Sequence, residues 1–580
     1  RAILENTISY DLVVIPAESK GTDTLALCAL LNIDTATYKK RMRDLIFKNG
    51  AVKPSVFESL LTTENFARLN ENMYRFPGFT LSERSVRSYP YDCGAAVLGY
   101  TAEVDTGFLR RHKDEGYEMG DYFGTTGLEN SYEKILMGQR GIKRFIRDNK
   151  GRIQGPWEKG EFDTAAVAGK NLYSSIDVEL QQLGEKLMQN KVGSIVAIDP
   201  KTGGILCMVS APTYNPNYLT GNQRKKHLVD MMYFDPRKPL LNRTVSTTYS
   251  PGSTFKTLQA LVGMHEGVIN TQTAVSCGGA FYGCGSGRPM KCLDYGTYNL
   301  RSAVTFSDNT YFATVMQRVI NNPKYPNIDS SLSAWNNYMY AFGLGKKLGV
   351  DVPSERKGFI PDPAYFNKTY GNGKWNYCTF RSVSIGQGEV VTTPIQVANE
   401  MAYIANKGWY YLPHLIDSVE GGDDYEMLAR FKVKQRTKNI AESIFEEVHE
   451  GMQGTMEFGT GAAAKVPGIN VCGKTGTVEN AYRGESLKDH AFFGAFAPRE
   501  NPRIAIAVMC ENAGFGATSA APIASLLIEK YLRDSIAGPD RKAKIEQLAN
   551  MNLIPPQMSR LMKKEAPIKK PVSKKKEPKA

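Results

Sequence analysis

The sequence contains no stretch of about eighteen consecutive apolar residues, the length at which a helix becomes a candidate to span a bilayer. Its first residue is Arg1 and not Met, and no signal-peptide pattern follows. We therefore expect either a soluble protein or one whose membrane anchor precedes Arg1. No short-period repeat occurs, which argues against a repeat architecture. Basic residues do not recur on one face with interleaved aromatics, so we expect no nucleic-acid partner.

What the chain does have is length, apolar content and a basic end. Of its 580 residues, 42% are hydrophobic, which is enough for a sizeable core and, at this length, for more than one domain. Residues 563–580 hold eight lysines against two glutamates, a large share of the net charge of +13. Such a tail can contact anionic lipid beside a membrane. Its composition favours a solvated, disordered Lys/Pro run.

The hydrophobic pattern and composition divide the chain into three regions. Residues 1–168 mix short alternating strands with polar helical stretches and predict an irregular, non-catalytic domain. Residues 169–540 are richer in apolar strands and helices and predict the main domain. Residues 541–580 are predicted to form a basic, Lys/Pro-rich C-terminal tail.

The main domain shows the pattern of an α+β fold. A helical stretch at residues 178–189 precedes an apolar hairpin at residues 194–210. Two further strands are predicted at residues 491–497 and 503–511, after one at 469–478, and an amphipathic closing helix follows. This order predicts one antiparallel, five-stranded sheet flanked by helices.

A first chemical motif lies between these strands. Ser253 and Lys256 are three residues apart, directly after the turn residues Pro251 and Gly252, and an apolar helical stretch follows. This spacing puts both side chains on one helix face. A serine hydroxyl is a poor nucleophile until a neighbour takes its proton, and a lysine made neutral by its surroundings can take it. The alternative is a helix cap followed by a solvated lysine.

A second motif reads Ser-Asp-Asn and precedes another apolar helical stretch. Its functional interpretation makes Ser307 a proton shuttle and Asn309 a donor to a substrate amide carbonyl. An ordinary helix N-cap is the alternative.

A third motif, Lys-Thr-Gly-Thr, lies on a predicted strand. Lys474, Thr475 and the second threonine, Thr477, can bind a substrate carboxylate, and Gly476 lets another chain approach closely. The backbone N–H groups of Ser253 and Thr477 can form an oxyanion hole. An ordinary set of strand residues is the alternative.

The three motifs in this order resemble the signature of penicillin-binding proteins and serine β-lactamases. Leu-Asn-Arg at 241–243, Ser-Ile-Gly-Gln-Gly at 384–388 and His-Ala-Phe-Phe at 490–493 are similar to class B penicillin-binding proteins. Arg-Ser-Tyr-Pro at 87–90 and Gly-Leu-Glu at 127–129 resemble the pedestal domain of the elongation-type penicillin-binding protein 2 family. The resemblance covers about residues 1 to 540.

This resemblance implies a peptidoglycan D,D-transpeptidase that cross-links stem peptides through an acyl-serine at Ser253 during cell-wall elongation and shape maintenance, with a possible carboxypeptidase side activity. It implies acylation of the same serine by β-lactams. A β-lactamase or β-lactam sensor is an alternative, but no Glu-x-x-Leu-Asn stands between the second and third motifs. An inactive cell-wall scaffold is a third alternative, against which the intact motifs argue.

The resemblance also implies where the protein acts and with what. It implies a single N-terminal anchor in the bacterial inner membrane, absent from this chain, and a catalytic domain in the periplasm. Implied partners are stem peptides and lipid-linked precursors, a SEDS-family (RodA-like) glycosyltransferase and proteins of the elongation complex. No cofactor is implied for the reaction itself.

Nine cysteines are present, and three of them cluster in a Gly-rich loop between the first two motifs. A disulfide among Cys277, Cys284 and Cys292 is favoured in an oxidising compartment. A metal site is an alternative, because some family relatives bind zinc near here and Asp294 can serve as a fourth ligand by type. Free thiols are the third possibility. We expect most of the others to be buried core thiols: Cys28, Cys93, Cys207, Cys378, Cys472 and Cys510.

Overall fold

The computed structural model describes residues 1–149, 153–221, 224–285, 289–422, 425–436, 439–482, 485–555 and 558–559. The chain divides into two compact units. Unit 1 comprises Arg1–Asp92, Tyr132–Lys170 and Tyr214–Val229. Unit 2 comprises Cys93–Ser131, Asn171–Thr213 and the chain from Asp230 onwards.

Unit 1 is built on a three-stranded antiparallel sheet. Glu5–Val14 is the central strand, with Ser55–Glu58 on one side and Phe79–Ser88 on the other. Leu12 and Val14 point to the covered face, where they join a core of buried apolar side chains from the neighbouring helices. The helices are Thr24–Leu31, Thr35–Asn49, Thr63–Asn72, Glu133–Leu136 and Arg224–Val229, and a separate two-stranded hairpin is formed by Phe145–Arg147 and Ile153–Pro156.

The segment Cys93–Ser131 lies within the predicted domain 1–168 but packs with unit 2. The N–H of Gly94 donates to Glu185 Oε1 at 2.7 Å, and Asn242 Nδ2 donates to the carbonyl oxygen of Ala96 at 3.4 Å. Both partners belong to unit 2. Each unit is therefore built from several separate segments of the chain. Composition along the sequence cannot reveal such a division.

Unit 2 contains the predicted five-stranded antiparallel sheet, which is confirmed. Its strands are β1 (Gly193–Ile198), β2 (Ile205–Ala211), β3 (Cys472–Tyr482), β4 (Glu485–Ala497) and β5 (Ile504–Cys510). They lie in the order β2-β1-β5-β4-β3, so β3 is an edge strand.

Helices cover both faces of this sheet. We number six of them: α1 (Val178–Leu187), α2 (Lys256–His265), α3 (Asn309–Ile320), α4 (Pro394–Ala405), α5 (Ala520–Arg533) and α6 (Pro539–Asn550). Alternate strand residues such as Ile195 and Ala197 pack in one cluster with α1, α5 and α6. α4 packs against β1, β4 and β5. Since the intervening Val196 is also fully buried, the strands read as continuous apolar runs.

Further strands and helices complete unit 2. The strands are Thr101–Glu103, Tyr122–Gly124, Leu172–Ser174, Val275–Cys277, Ala280–Phe281, Met290–Lys291, Gly296–Tyr298, Trp409–Tyr410, Ile416–Val419 and Gln435–Arg436. The helices are Ala95–Leu98, Thr106–Arg111, Gly127–Ser131, Arg243–Ser246, Leu300–Phe306, Ile328–Ala341, Pro363–Tyr370, Glu426–Ala429 and Glu442–Glu457.

The packed chain continues past the predicted boundary at residue 540. The helix expected to close the domain, α5, is followed by α6, whose Leu548 is fully buried in the sheet core. The buried ammonium of Lys191 donates to the carbonyl oxygen of Leu548 and so caps the end of α6. The sequence of α6 is mostly polar, and for this reason it was predicted to belong to the C-terminal tail. The Lys-rich stretch from residue 560 onwards lies outside the described residues.

Within the described part of the chain, none of the helices combines the length and the apolar character needed to cross a membrane.

Candidate active site

Ser253 lies in a short 3₁₀ turn, Gly252–Phe255, that leads directly into α2 at Lys256. Side chains three residues apart eclipse in a 3₁₀ turn, so Ser253 and Lys256 share one face. Gly252 has a φ of 59°, a conformation that glycine adopts without strain. Its N–H donates to the carbonyl oxygen of Gly386 at 2.8 Å. The turn that carries the predicted nucleophile is therefore held from a distant part of the chain.

Lys256 is fully buried, which excludes the solvated-lysine alternative. Its Nζ lies 2.7 Å from the carbonyl oxygen of Ser307, 3.2 Å from Ser307 Oγ and 2.5 Å from Asn309 Oδ1. Burial lowers the pKa of Lys256 to about 7, although the nearby carboxylate of Asp308 favours the charged form. A group with this pKa exchanges a proton readily at neutral pH, as a general base must.

The residues of the second motif have two different roles: one caps a helix, and the other two contact Lys256. Asp308 caps α3, because its Oδ1 accepts the N–H of Tyr311 at 2.6 Å. Ser307 adopts the left-handed conformation, with a φ of 62°, at the end of helix Leu300–Phe306. This conformation turns the chain sharply between two helices. The capping interpretation thus holds for Asp308, while Ser307 and Asn309 both reach Lys256 Nζ.

The third motif lies on the edge strand β3. Lys474 is fully buried, and burial together with the nearby charge of Lys256 lowers its pKa well below the usual range. The hydroxyl of Thr475 shares a 2.6 Å hydrogen bond with that of Thr460. Among the described residues, neither buried lysine forms an ion pair with a carboxylate. An anionic group entering beside Lys474 would raise its pKa and favour its protonated form.

The nucleophile turn lies directly against β3. A Cβ added to Gly476 would be 3.2 Å from the carbonyl oxygen of Pro251, so a side chain here would crowd the turn. On the other side, a Cβ added to Gly252 would be 3.1 Å from the carbonyl oxygen of Thr477. The turn that carries Ser253 therefore lies beside Thr477 on β3. The oxyanion-hole role of their backbone N–H groups stays a prediction.

Replacing Gly386 with alanine is expected to slow acylation of Ser253 by roughly 100-fold, the order of loss that a 1 Å misplacement can cause. The new Cβ would stand 2.3 Å from the carbonyl oxygen of Gly252 and must push the nucleophile turn aside. Gly388→Ala is the matched control, because its φ is also positive, at 75°, but its nearest contact is Ser382 Cβ at 3.2 Å. Both rates of penicillin acylation and both melting temperatures should be measured. Equal rate losses in the two variants would contradict this expectation.

The predicted disulfide among the three clustered cysteines is wrong. Cys284 is bonded to Cys378, which lies 94 residues further along the chain, and Cys277 and Cys292 are free thiols. Cys378 is therefore the exception to the expectation that most of the six dispersed cysteines are buried core thiols. The other five predicted core thiols are confirmed as buried: Cys28, Cys93, Cys207, Cys472 and Cys510.

The structure brings Cys277 and Cys292 together with Asp308, not with Asp294. One ligand atom from each of the three lies within 4.8 Å of the others. Asp294 is exposed and its Oδ1 accepts the N–H of Tyr295, so it is not part of this group. Two thiols and a carboxylate are donors that suit zinc by type. Metal analysis combined with thiol titration of non-reduced protein distinguishes bound zinc from free thiols.

Sequence reasoning missed a buried acid behind the nucleophile. Glu400 on α4 is fully buried, and its Oε1 accepts the hydroxyl of Thr257, the residue after Lys256, at 2.9 Å. Burial raises the pKa of Glu400 to about 8, so the group is largely neutral at pH 7. The sequence did hold a signal for this buried acid, because Glu400 is the only charged residue of an otherwise apolar or uncharged helix.

Two family models match the chain. The model described as the penicillin binding protein transpeptidase domain matches residues 193–529, and that of the penicillin-binding protein dimerisation domain matches residues 1–174. Together they take in both the described site and the region before it.

Similar proteins agree with these matches. The peptidoglycan D,D-transpeptidase MrdA of Acinetobacter baumannii is 33% identical over 499 residues, covering 83% of this chain and 71% of that protein. MrdA of Escherichia coli K12 is 30% identical over 512 residues, 84% of this chain and 77% of that protein. The crystal structure of Pseudomonas aeruginosa PBP2 with WCK 5153 is 28% identical, with a TM-score of 0.65 over 78% of this chain and 91% of that one. The Helicobacter pylori PBP2–MreC complex, 21% identical with a TM-score of 0.74 over 92% of this chain and 96% of that one, shares the fold.

Proposed function

The chain belongs to the class B penicillin-binding proteins of the PBP2 type, and from this premise we propose how its site catalyses peptidoglycan cross-linking. It is a peptidoglycan D,D-transpeptidase of the serine type. The β-lactamase and inactive-scaffold alternatives fit the relatives less well, since these are named as transpeptidases. The observation that carries the mechanism is the buried Lys256, which follows Ser253 by one turn and contacts both Ser307 and Asn309.

In the first half-reaction Ser253 Oγ attacks the carbonyl carbon of the D-Ala–D-Ala peptide bond. Lys256, neutral in a substantial fraction of molecules at neutral pH, takes the hydroxyl proton. The negative charge that develops on the carbonyl oxygen is stabilised by the backbone N–H groups of Ser253 and Thr477. The peptide bond breaks, and the terminal D-Ala leaves as an amine protonated from Lys256 by way of Ser307.

In the second half-reaction an amine from a neighbouring stem peptide attacks the acyl-serine. Lys256 and Ser307 take a proton from this amine and return one to Ser253 Oγ. The ester bond breaks as the new amide forms, and the enzyme is regenerated. If water attacks in place of the amine, the same steps give the carboxypeptidase side activity.

The donor peptide is held at both ends of its reacting segment. Its terminal carboxylate lies against Lys474, Thr475 and Thr477 and accepts hydrogen bonds from their side chains, and its negative charge favours the protonated form of Lys474. The amide of Asn309 donates to a backbone carbonyl of the peptide. Acylation therefore favours substrates that end in a free carboxylate.

We place the protein's activity in the cell envelope, at the inner membrane, with the catalytic unit in the periplasm. One supporting observation is the disulfide Cys284–Cys378, which suits an oxidising compartment. The Helicobacter pylori relative was solved with MreC, and another similar structure is titled as a peptidoglycan synthase complex. By analogy we propose elongation-complex proteins, with a SEDS-family glycosyltransferase, as partners of this chain. The reaction requires no cofactor.

Mass spectrometry of the protein after incubation with a penicillin tests the function. We expect a covalent adduct of one penicillin that decays over many minutes, because the site is built to pass the acyl group to an amine. A chromogenic cephalosporin should be hydrolysed only slowly. Fast hydrolysis of that cephalosporin would instead identify a β-lactamase, and absence of any adduct would identify an inactive scaffold.

A further inference from the structure

A short hairpin touches the active site from the side. Its strands Ala280–Phe281 and Met290–Lys291 pair antiparallel, and Cys284 lies between them. We call these described residues the cysteine hairpin. The carbonyl oxygen of Lys291 accepts a hydrogen bond from Asn309 Nδ2 at 2.6 Å. The side chain of Asn309 is thus held at both atoms, by Lys256 at Oδ1 and by the hairpin at Nδ2.

The base of the hairpin is also attached to the residue after Asn309. The hydroxyl of Thr310 lies 3.0 Å from Cys292 Sγ and 3.2 Å from Cys277 Sγ. The N–H of Cys292 donates to the carbonyl oxygen of Gly279 at 2.9 Å, which closes the hairpin at this end. The hairpin base therefore lies on the first turn of α3.

The other end of the hairpin is fixed by the disulfide. Cys284 is bonded to Cys378 in the turn Tyr377–Thr379. That turn is itself fixed to α3, because the hydroxyl of Tyr377 donates to the carbonyl oxygen of Ala313 at 2.6 Å. The ring of Tyr377 also meets that of Phe281 edge to face, at 6.2 Å. Hairpin, turn and α3 form a closed frame around Asn309.

We propose that Cys284 and Cys378 are positioning residues for Asn309. Their bond holds the cysteine hairpin so that Lys291 engages one N–H of the Asn309 amide. An amide nitrogen has two N–H groups, and the second remains available to donate to the amide carbonyl of a ligand. This rests on the proposed function, in which Asn309 binds the amide of a stem peptide. A β-lactam with an acylamino side chain offers the same amide, whereas a carbapenem with a hydroxyethyl group does not.

Reduction by a dithiol releases the frame. A reductant thiolate attacks one sulfur of the disulfide, and the resulting mixed disulfide is resolved by the reductant's second thiol. Two electrons pass to the protein, Cys284 and Cys378 become thiols, and the reductant becomes a disulfide. Both cysteines are half-buried, so the bond is within reach of such a reagent. The hairpin then loses its distal attachment, and Asn309 loses its fixed orientation.

The test compares Cys284→Ser, Cys378→Ser and the double variant with the unaltered protein. Acylation rates are measured with a penicillin and with a carbapenem, at a temperature where all variants are folded by their melting curves. We expect penicillin acylation to fall roughly three- to tenfold, the factor that one hydrogen bond is worth, with carbapenem acylation unchanged. The three variants should lose the same factor, because both cysteines act through one bond. Dithiol treatment should reproduce the loss in the unaltered protein and add nothing in the double variant.

Cys28→Ser, a buried cysteine of unit 1, is the matched control and should leave the ratio of the two rates unchanged. Equal losses with both β-lactams would show that the bond only stabilises the fold, and no loss with the penicillin would also overturn the proposal. If the unaltered protein reacted with neither β-lactam, the proposed function itself would have failed.

Discussion

Ser253→Ala is expected to abolish covalent labelling by penicillin and to lower the transpeptidation rate by about 10⁴-fold or more, as loss of a nucleophile does in other serine acyl-enzymes. Ser253 is three residues before Lys256 in the 3₁₀ turn, so their side chains eclipse, and no other hydroxyl of the Ser-x-x-Lys motif has this position. The measurement is intact mass after incubation with penicillin, together with the rate of cross-linking of a donor peptide.

Ser250→Ala is the matched control for this variant. It makes the same substitution three residues earlier, and we expect full labelling. Both variants should melt close to the unaltered protein, since among the described residues Ser253 Oγ forms no hydrogen bond whose loss would lower stability. A penicillin adduct in folded Ser253→Ala would refute the assignment of the nucleophile.

The second large effect concerns the pH dependence of acylation. Lys256 accepts a proton only when neutral, and burial sets its pKa at about 7. Below this pH the lysine is mostly protonated, so the acylation rate should fall tenfold for each pH unit. Above about pH 8 the rate should level off. Stopped-flow or quench measurements of acylation between pH 5 and 9, on protein shown to be folded throughout, give the profile.

Two variants of Lys256 separate its charge from its basicity. Lys256→Arg keeps a positive charge but stays protonated over this whole range, and Lys256→Gln removes the charge. Both should lose roughly 10²- to 10⁴-fold in acylation, the usual contribution of a general base, and both should lose the inflection near pH 7. A rate that is independent of pH in the unaltered protein, or an active Lys256→Arg, would assign the base to another group.

The three motifs and the sheet were within reach of sequence reasoning because each depends on local spacing. Ser253 and Lys256 are one turn apart wherever that helix lies, and apolar residues in runs predict strands such as β1 and β5. What spacing could not give is the meeting of Lys256 with Asn309, 53 positions later. That contact depends on how α2 packs against α3, and only the fold sets it.

The cysteines show where proximity in sequence misleads. Cys277 and Cys292 lie at the base of a hairpin, while Cys284 lies at the opposite end and is bonded to Cys378. A pairing among neighbours in sequence was therefore the wrong expectation. The packed helix α6 was not predicted for a different reason. Its few apolar residues do not form a recognisable pattern, and only the folded sheet provides the core in which Leu548 is buried.

The strand order of the main sheet has a consequence for how the chain comes to fold. β1 is an inner strand of the sheet and pairs with the central strand β5, which is synthesised roughly 300 residues later, about 15 to 60 s at ordinary translation rates. Until then the apolar strands β1 and β2 form an isolated hairpin with an unpaired edge, the kind of surface that associates with other chains. The sheet has a high contact order, so its assembly is slow and waits for nearly the whole polypeptide. The exposed edge of β1 is therefore open to association with other chains until β5 has been synthesised.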